Sequence, residues 1–157
     1  MLRATLFATC FALATSASAD EPKAAKVEFV VHSGHFEKNN AGLKDNPAFL
    51  AITSAEAFDK VFGAAFTMGK KPNVVPKGAF EKSLVIATIK RGNFITKYDV
   101  EKVTLTDGTL VIAYKTTDEG AGTANFASPL IVSVPKEGVK KVEFVENGKK
   151  AGAAEVK

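Results

Sequence analysis

Apolar residues in this chain fall mostly into short β-rich runs, and only one stretch repeats with helical spacing. Leu84 to Ile89 is almost uninterruptedly apolar and β-branched, the pattern of a central strand covered on both faces. Around it lie Val27 to Val31, Ala48 to Ile52, Tyr98 to Thr106, Thr109 to Thr116, Leu130 to Val134 and Lys141 to Val145, each bounded by turn residues or proline. Asp107-Gly108 between two of these runs is the dipeptide favoured by a two-residue type I′ hairpin, and Asn147-Gly148 marks another tight turn.

The helical stretch opens at Thr53-Ser54-Ala55-Glu56, which has capping-box spacing. Phe58, Val61, Phe62, Ala65 and Phe66 follow at i, i+3, i+4, i+7 and i+8, so a phenylalanine face is expected to pack on the sheet. Gly63 is expected to act as a left-handed cap ending this helix early. No βαβ alternation is present. The prediction is a mainly β (α+β) fold: an antiparallel sheet of about seven short strands, curled into a sandwich or partly open barrel, with one helix near residues 54–63.

The ends divide the chain further. Met1-Leu2-Arg3, an apolar run from Ala4 to Ala14 and the small residues Ala17-Ser18-Ala19 have the form of a secretory signal peptide over residues 1–19. Residues 20–26 read as a flexible leader, 27–147 as a single globular domain and 148–157 as a flexible tail. The only cysteine, Cys10, lies inside the signal segment, so no disulfide is expected in the exported protein. An apolar run of this length falls short of the ~20 residues a membrane helix needs, so no transmembrane segment is expected after cleavage.

Charge changes the picture little. Lys and Arg number 21 against 17 Asp and Glu, and the basic pairs are dispersed and mostly lysine, the pattern of a solvated surface. No nucleic-acid partner is expected for an exported chain without a concentrated arginine patch. Twelve phenylalanines and no tryptophan point to a phenylalanine-built core.

Candidate chemistry is sparse. His32-Ser33-Gly34-His35 holds both histidines, and a turn at Gly34 could bring the imidazoles together as a metal pair, but no third ligand is evident. The alternative reading is therefore a metal-binding envelope protein using His32 and His35. Asp118 and Glu119, in the polar glycine-rich stretch Thr117 to Asn125, read as solvated acids of a mobile loop. Neither Gly-x-Ser-x-Gly nor His-Glu-x-x-His occurs, and Gly120-Ala121-Gly122 lacks the helix that a nucleotide fingerprint requires. No cofactor is expected, and the chain reads as a nonenzyme. That leaves Arg91, Asn93, Phe94, Thr96, Lys97 and Tyr98, just beyond the central strand. There, aromatic and basic groups on a loop are the residue types of binding anchors.

The ordering of these features resembles the C-terminal domain family of the secreted protease-complex subunit PrcB. The resemblance rests on Ser33-Gly34, Ser54 to Phe58 with Val61-Phe62, Ser83 to Ile89, the hairpin at Asp107-Gly108, Pro129 to Lys136, and Val142 to Val145. It spans roughly residues 27–146. Thr96 and Tyr98 hold the positions of the Thr and Tyr in that family's Thr-Gly-Gly-Tyr-like loop. The resemblance implies an exported, noncatalytic binding domain, protease-associated or inhibitor-like, whose partner is another exported or envelope protein such as a protease.

Overall fold

The computed structural model describes residues 24–65, 72–120 and 122–157. The expected signal peptide and Cys10 lie outside them. In chain order the elements are β1 (Ala25–Lys26), β2 (Val30–His32), β3 (His35–Glu37), β4 (Ala48–Ile52), α1 (Ala55–Val61), β5 (Phe62–Ala64) and a 3-10 turn at Ala79–Glu81. The remainder is β6 (Ser83–Gly92), β7 (Phe94–Thr106), β8 (Thr109–Gly120), β9 (Phe126–Pro135), β10 (Lys141–Glu146) and β11 (Lys149–Glu155). No helix among the described residues is long and apolar enough to cross a membrane.

Two sheets face each other in a sandwich-like arrangement. The first runs β1-β7-β8-β10-β11 and the second β2-β9-β6-β4, while β3 and β5 form a separate pair. As its apolar run predicts, β6 is central, paired antiparallel with β9 on one side and β4 on the other. Alternation along a strand sends successive side chains to opposite faces. Leu84 and Ile86 therefore enter the core between the sheets, with Val103, Leu110, Ile112, Tyr114, Val132, Val142 and Phe144. Val85, Ala87 and Ile89 enter a second core, with Ile131 from β9, Ile52, and Phe58 and Phe62 from the helical layer. Leu84, Ile86 and Ile89 have no measurable exposure, and each such side chain stabilises the fold by about 1.5–3 kcal/mol relative to an exposed one.

The mainly β reading holds, but several local expectations are corrected. There are eleven strands among the described residues rather than about seven. The β10–β8 pairing is parallel, from Lys141↔Thr109 to Glu146↔Tyr114, because β10 is reached by a crossover from the other sheet. The helix is shorter than residues 54–63. Its cap is Ser54, whose hydroxyl accepts from the Ala57 N–H at 3.2 Å, whereas the Thr53 hydroxyl donates to the Lys157 carbonyl at 2.9 Å. It ends at Val61, and Phe62 and Gly63 continue as extended strand. Gly63 is thus no left-handed cap, and Phe62 satisfies both the helical spacing and the strand that replaces it.

Both expected flexible ends contain strand. Ala25 and Lys26 pair with Leu105 and Thr104 of β7. Residues 149–155 of the expected tail form β11, paired with β10 through the Asn147-Gly148 turn, where both φ angles are positive (50° and 79°). The Asp107-Gly108 turn has the same hand, with φ of 49° and 82°, and closes the predicted β7–β8 hairpin.

Candidate functional site

The stretch from Arg91 to Tyr98 is a corner between the two sheets rather than a loop. β6 continues through Arg91 and Gly92, Asn93 makes the turn alone, and β7 begins at Phe94 in the other sheet. Since β6 alternates faces, Lys90 and Arg91 project into different regions although they are consecutive. Lys90 has the parity of Leu84 and Ile86 and enters the space between the sheets. Arg91 has the parity of Val85 and Ile89 and turns toward the helical layer.

Arg91 acts there as a clamp. Its Nε and Nη2 donate to the two Glu37 carboxylate oxygens at 2.8 and 2.5 Å, and Nη1 donates to the Asp45 carbonyl at 2.7 Å. The paired side chains are only 20% and 11% exposed, and Glu37 holds the guanidinium more firmly in its charged form. Asn46 completes the attachment: its Oδ1 accepts from the Arg91 N–H and its Nδ2 donates to the Arg91 carbonyl, both at 2.9 Å. The segment joining β3 to β4 is thereby pinned to the end of β6.

On the other side a polar cluster closes the end of the sandwich. Lys90 Nζ lies 3.1 Å from Glu146 Oε1 and 3.5 Å from Asp118 Oδ2. The Thr116 hydroxyl donates to Glu146 at 2.8 Å, and the Thr96 hydroxyl donates to Asp118 Oδ1 at 2.6 Å. Tyr98 donates to the Ser128 carbonyl at 2.8 Å, and Ser128 Oγ accepts from the Thr96 N–H at 3.0 Å. Burial pushes the Tyr98 phenol well above its ordinary range and pushes that of Tyr114 up to about 12, with the Glu146 charge adding to the latter. The Tyr114 and Thr88 hydroxyls are buried together without a well-formed hydrogen bond. With both phenols protonated and the ammonium held by two carboxylates, the cluster is suited to fastening β6, β7, β8, β9 and β10 together.

Asp118 and Glu119 therefore sit on strand β8, which runs to Gly120, rather than in a mobile loop. The remaining predicted site residues divide by face. Asn93 is exposed at the corner. Phe94 folds back over Gly92, where any Cβ would meet its ring, and lies 5.9 Å from Lys90 Nζ, near the limit of a cation–π contact. Lys97 pairs with Glu119 at 2.6 Å on the outer face of the first sheet, beside Ile95, which is 44% exposed.

The corner borders a groove of about 490 Å³ that no local residue pattern announces. Phe36, Leu43, Arg91, Asn125 and Phe126 line it, and Phe36 is 47% exposed. The available signal was the alternation of β3, which turns His35 inward and so sends Phe36 outward. Glu37, Asp118 and Glu146 were not identifiable as partners, because their contacts span 22 to 56 residues.

The two histidines are held within the protein. His32 Nδ1 lies 3.2 Å from the Asn73 carbonyl and its Nε2 lies 2.8 Å from Ser133 Oγ, while His35 Nε2 accepts from the Val75 N–H at 3.1 Å. Among the described residues no group of three His, Cys, Asp or Glu side chains converges on them or elsewhere. Comparison with known proteins adds no relative: no family model matches the chain, nor does any curated protein or solved structure.

Proposed function

We propose that this protein is an exported, noncatalytic protein-binding domain that engages its partner through the groove beside the β6–β7 corner. The observation carrying this reading is Phe36. A half-exposed phenylalanine on a short, anchored strand supplies contact area with little conformational entropy to lose. Arg91 and Glu37 fix the groove floor before any partner arrives, which lowers the ordering cost of association. The noncatalytic part of the reading is supported by the groups a catalyst would use. Both tyrosines favour their neutral forms, both histidines are engaged within the fold, and Lys90 is ion-paired. The resemblance in residue pattern to the PrcB C-terminal domain family favours another exported or envelope protein, a protease among them, as the partner class.

Replacing Phe36 by Ala tests the reading. Capture of a partner from an envelope extract is expected to fall at least tenfold while the melting temperature stays nearly constant, because the ring is only half buried. Capture equal to that of the unaltered protein would overturn it.

A further inference from the structure

Both histidines of the chain are fastened to one three-residue segment, Asn73–Val75, which lies along the edge of β2 away from β9. Asn73 imitates a neighbouring strand there. Its Nδ2 donates to the Val31 carbonyl at 2.8 Å, and its carbonyl accepts from the Ser33 N–H at 2.9 Å. These are outward groups that an added strand would take. The Asn73 N–H donates to Ser33 Oγ at 3.1 Å, and the attachment is completed by His32 at Asn73 and His35 at Val75.

We propose that Asn73–Val75 is an acid-released plug on the β2 edge, held while His35 is neutral and freed when its imidazole takes a proton. Nε2 of His35 accepts the Val75 N–H, so the neutral ring carries its proton on Nδ1, and a second proton must go to Nε2 itself. Protonation thus replaces an acceptor with a donor facing a donor. His32 is different: Nδ1 faces a carbonyl, and Nε2 faces a hydroxyl that can reverse its hydrogen bond. His35 is therefore the trigger and His32 an anchor.

The surroundings of His35 set the direction. From α1, the Phe58 ring packs edge-on at 5.1 Å and the Asp59 charge favours protonation. From β5, the Gly63 carbonyl favours it too, while His32 on β2 opposes it, and Lys77 lines the same cavity from the following segment. Burial outweighs these and holds the imidazole below its ordinary value of 6.5. A histidine with a depressed folded-state pKa contributes stability above its unfolded value, and this is lost as pH falls through 6.5 toward the folded value. The plug is closed at neutral pH and opens on acidification, baring an edge beside Val30 and Val31, which are 50% and 43% exposed.

Amide hydrogen exchange by NMR at pH 7.5 and pH 5, corrected for the intrinsic pH dependence of exchange, tests the proposal. Protection of the Val75 and Ser33 amides is expected to fall at least tenfold, in step with titration of the His35 ring, while the Ile86 amide in β6 stays protected. In a His35→Phe protein, the Val75 amide is expected to be weakly protected at both pH values. Unchanged Val75 protection at pH 5 with His35 titrated would overturn the proposal, as would an undiminished pH dependence in His35→Phe.

Discussion

Gly152 of the C-terminal strand lies directly against the ring of Phe49 on β4, so closely that any Cβ at position 152 would collide with it. Phe49 in turn packs against Phe144 at a tilt of 43° with ring centroids 4.8 Å apart, and both belong to or border the core between the sheets. β11 is thus the cover that closes the sandwich along its β4 edge, and the small residues Ala151 to Ala154 are what permit it.

Gly152→Val is accordingly expected to destabilise the protein by about 1–3 kcal/mol, the usual cost of overpacking a filled site. A denaturant melt measures it. Ala153→Val, one residue on with an exposed side chain, is expected to change stability by less than about 0.5 kcal/mol. Equal effects at the two positions would contradict the cover.

The Arg91 clamp makes a second prediction. Arg91→Lys keeps the charge but cannot reproduce the two-pronged contact with Glu37 together with the bond to the Asp45 carbonyl. A loss of about 1–3 kcal/mol is expected, in line with the cost of leaving a charged partner short of hydrogen bonds. Faster amide exchange should accompany it in the β3–β4 connection.

Alkaline titration reports on the polar cluster. The chain has two tyrosines and no tryptophan, so tyrosinate absorbance is readily assigned. Both phenols are raised above the ordinary 10.0, Tyr114 to about 12. For an acid whose folded-state pKa is raised, the native state binds more protons between the two values. Stability is therefore full below pH 10 and declines as pH rises toward 12. The native protein should show little tyrosinate at pH 10.5 and the urea-unfolded chain a majority. Tyrosinate at half its maximum in the native state at pH 10 would contradict the burial of both rings.

What the residue pattern revealed of this fold follows from locality. β6 was legible because Leu84 to Ile89, five apolar residues and Thr88, four of the six β-branched, fit a strand buried on both faces, and the two glycine turns announce their hairpins by backbone conformation alone. β11 was illegible because Lys149 to Glu155 contains no β-branched residue. Its composition answers to Phe49, more than a hundred residues earlier, rather than to strand propensity. Phe62 fitted a helix and a strand equally, and its pairing with Glu37 of β3 gives it the strand. At the site, the separation of Lys90 from Arg91 follows from alternation once β6 is taken through Gly92, but the acids that receive them belong to distant strands. Phe36 is announced only by its alternation with His35.

Partner recognition at the groove bordered by Phe36 is tested most directly by light-induced cross-linking in cells that produce the protein. A photoreactive phenylalanine analogue at position 36 is expected to give a discrete covalent adduct with a partner protein. The same analogue at position 97, on the outer face of the first sheet, is expected to give none. Absence of an adduct at position 36 would contradict the claim, as would one of equal yield at position 97.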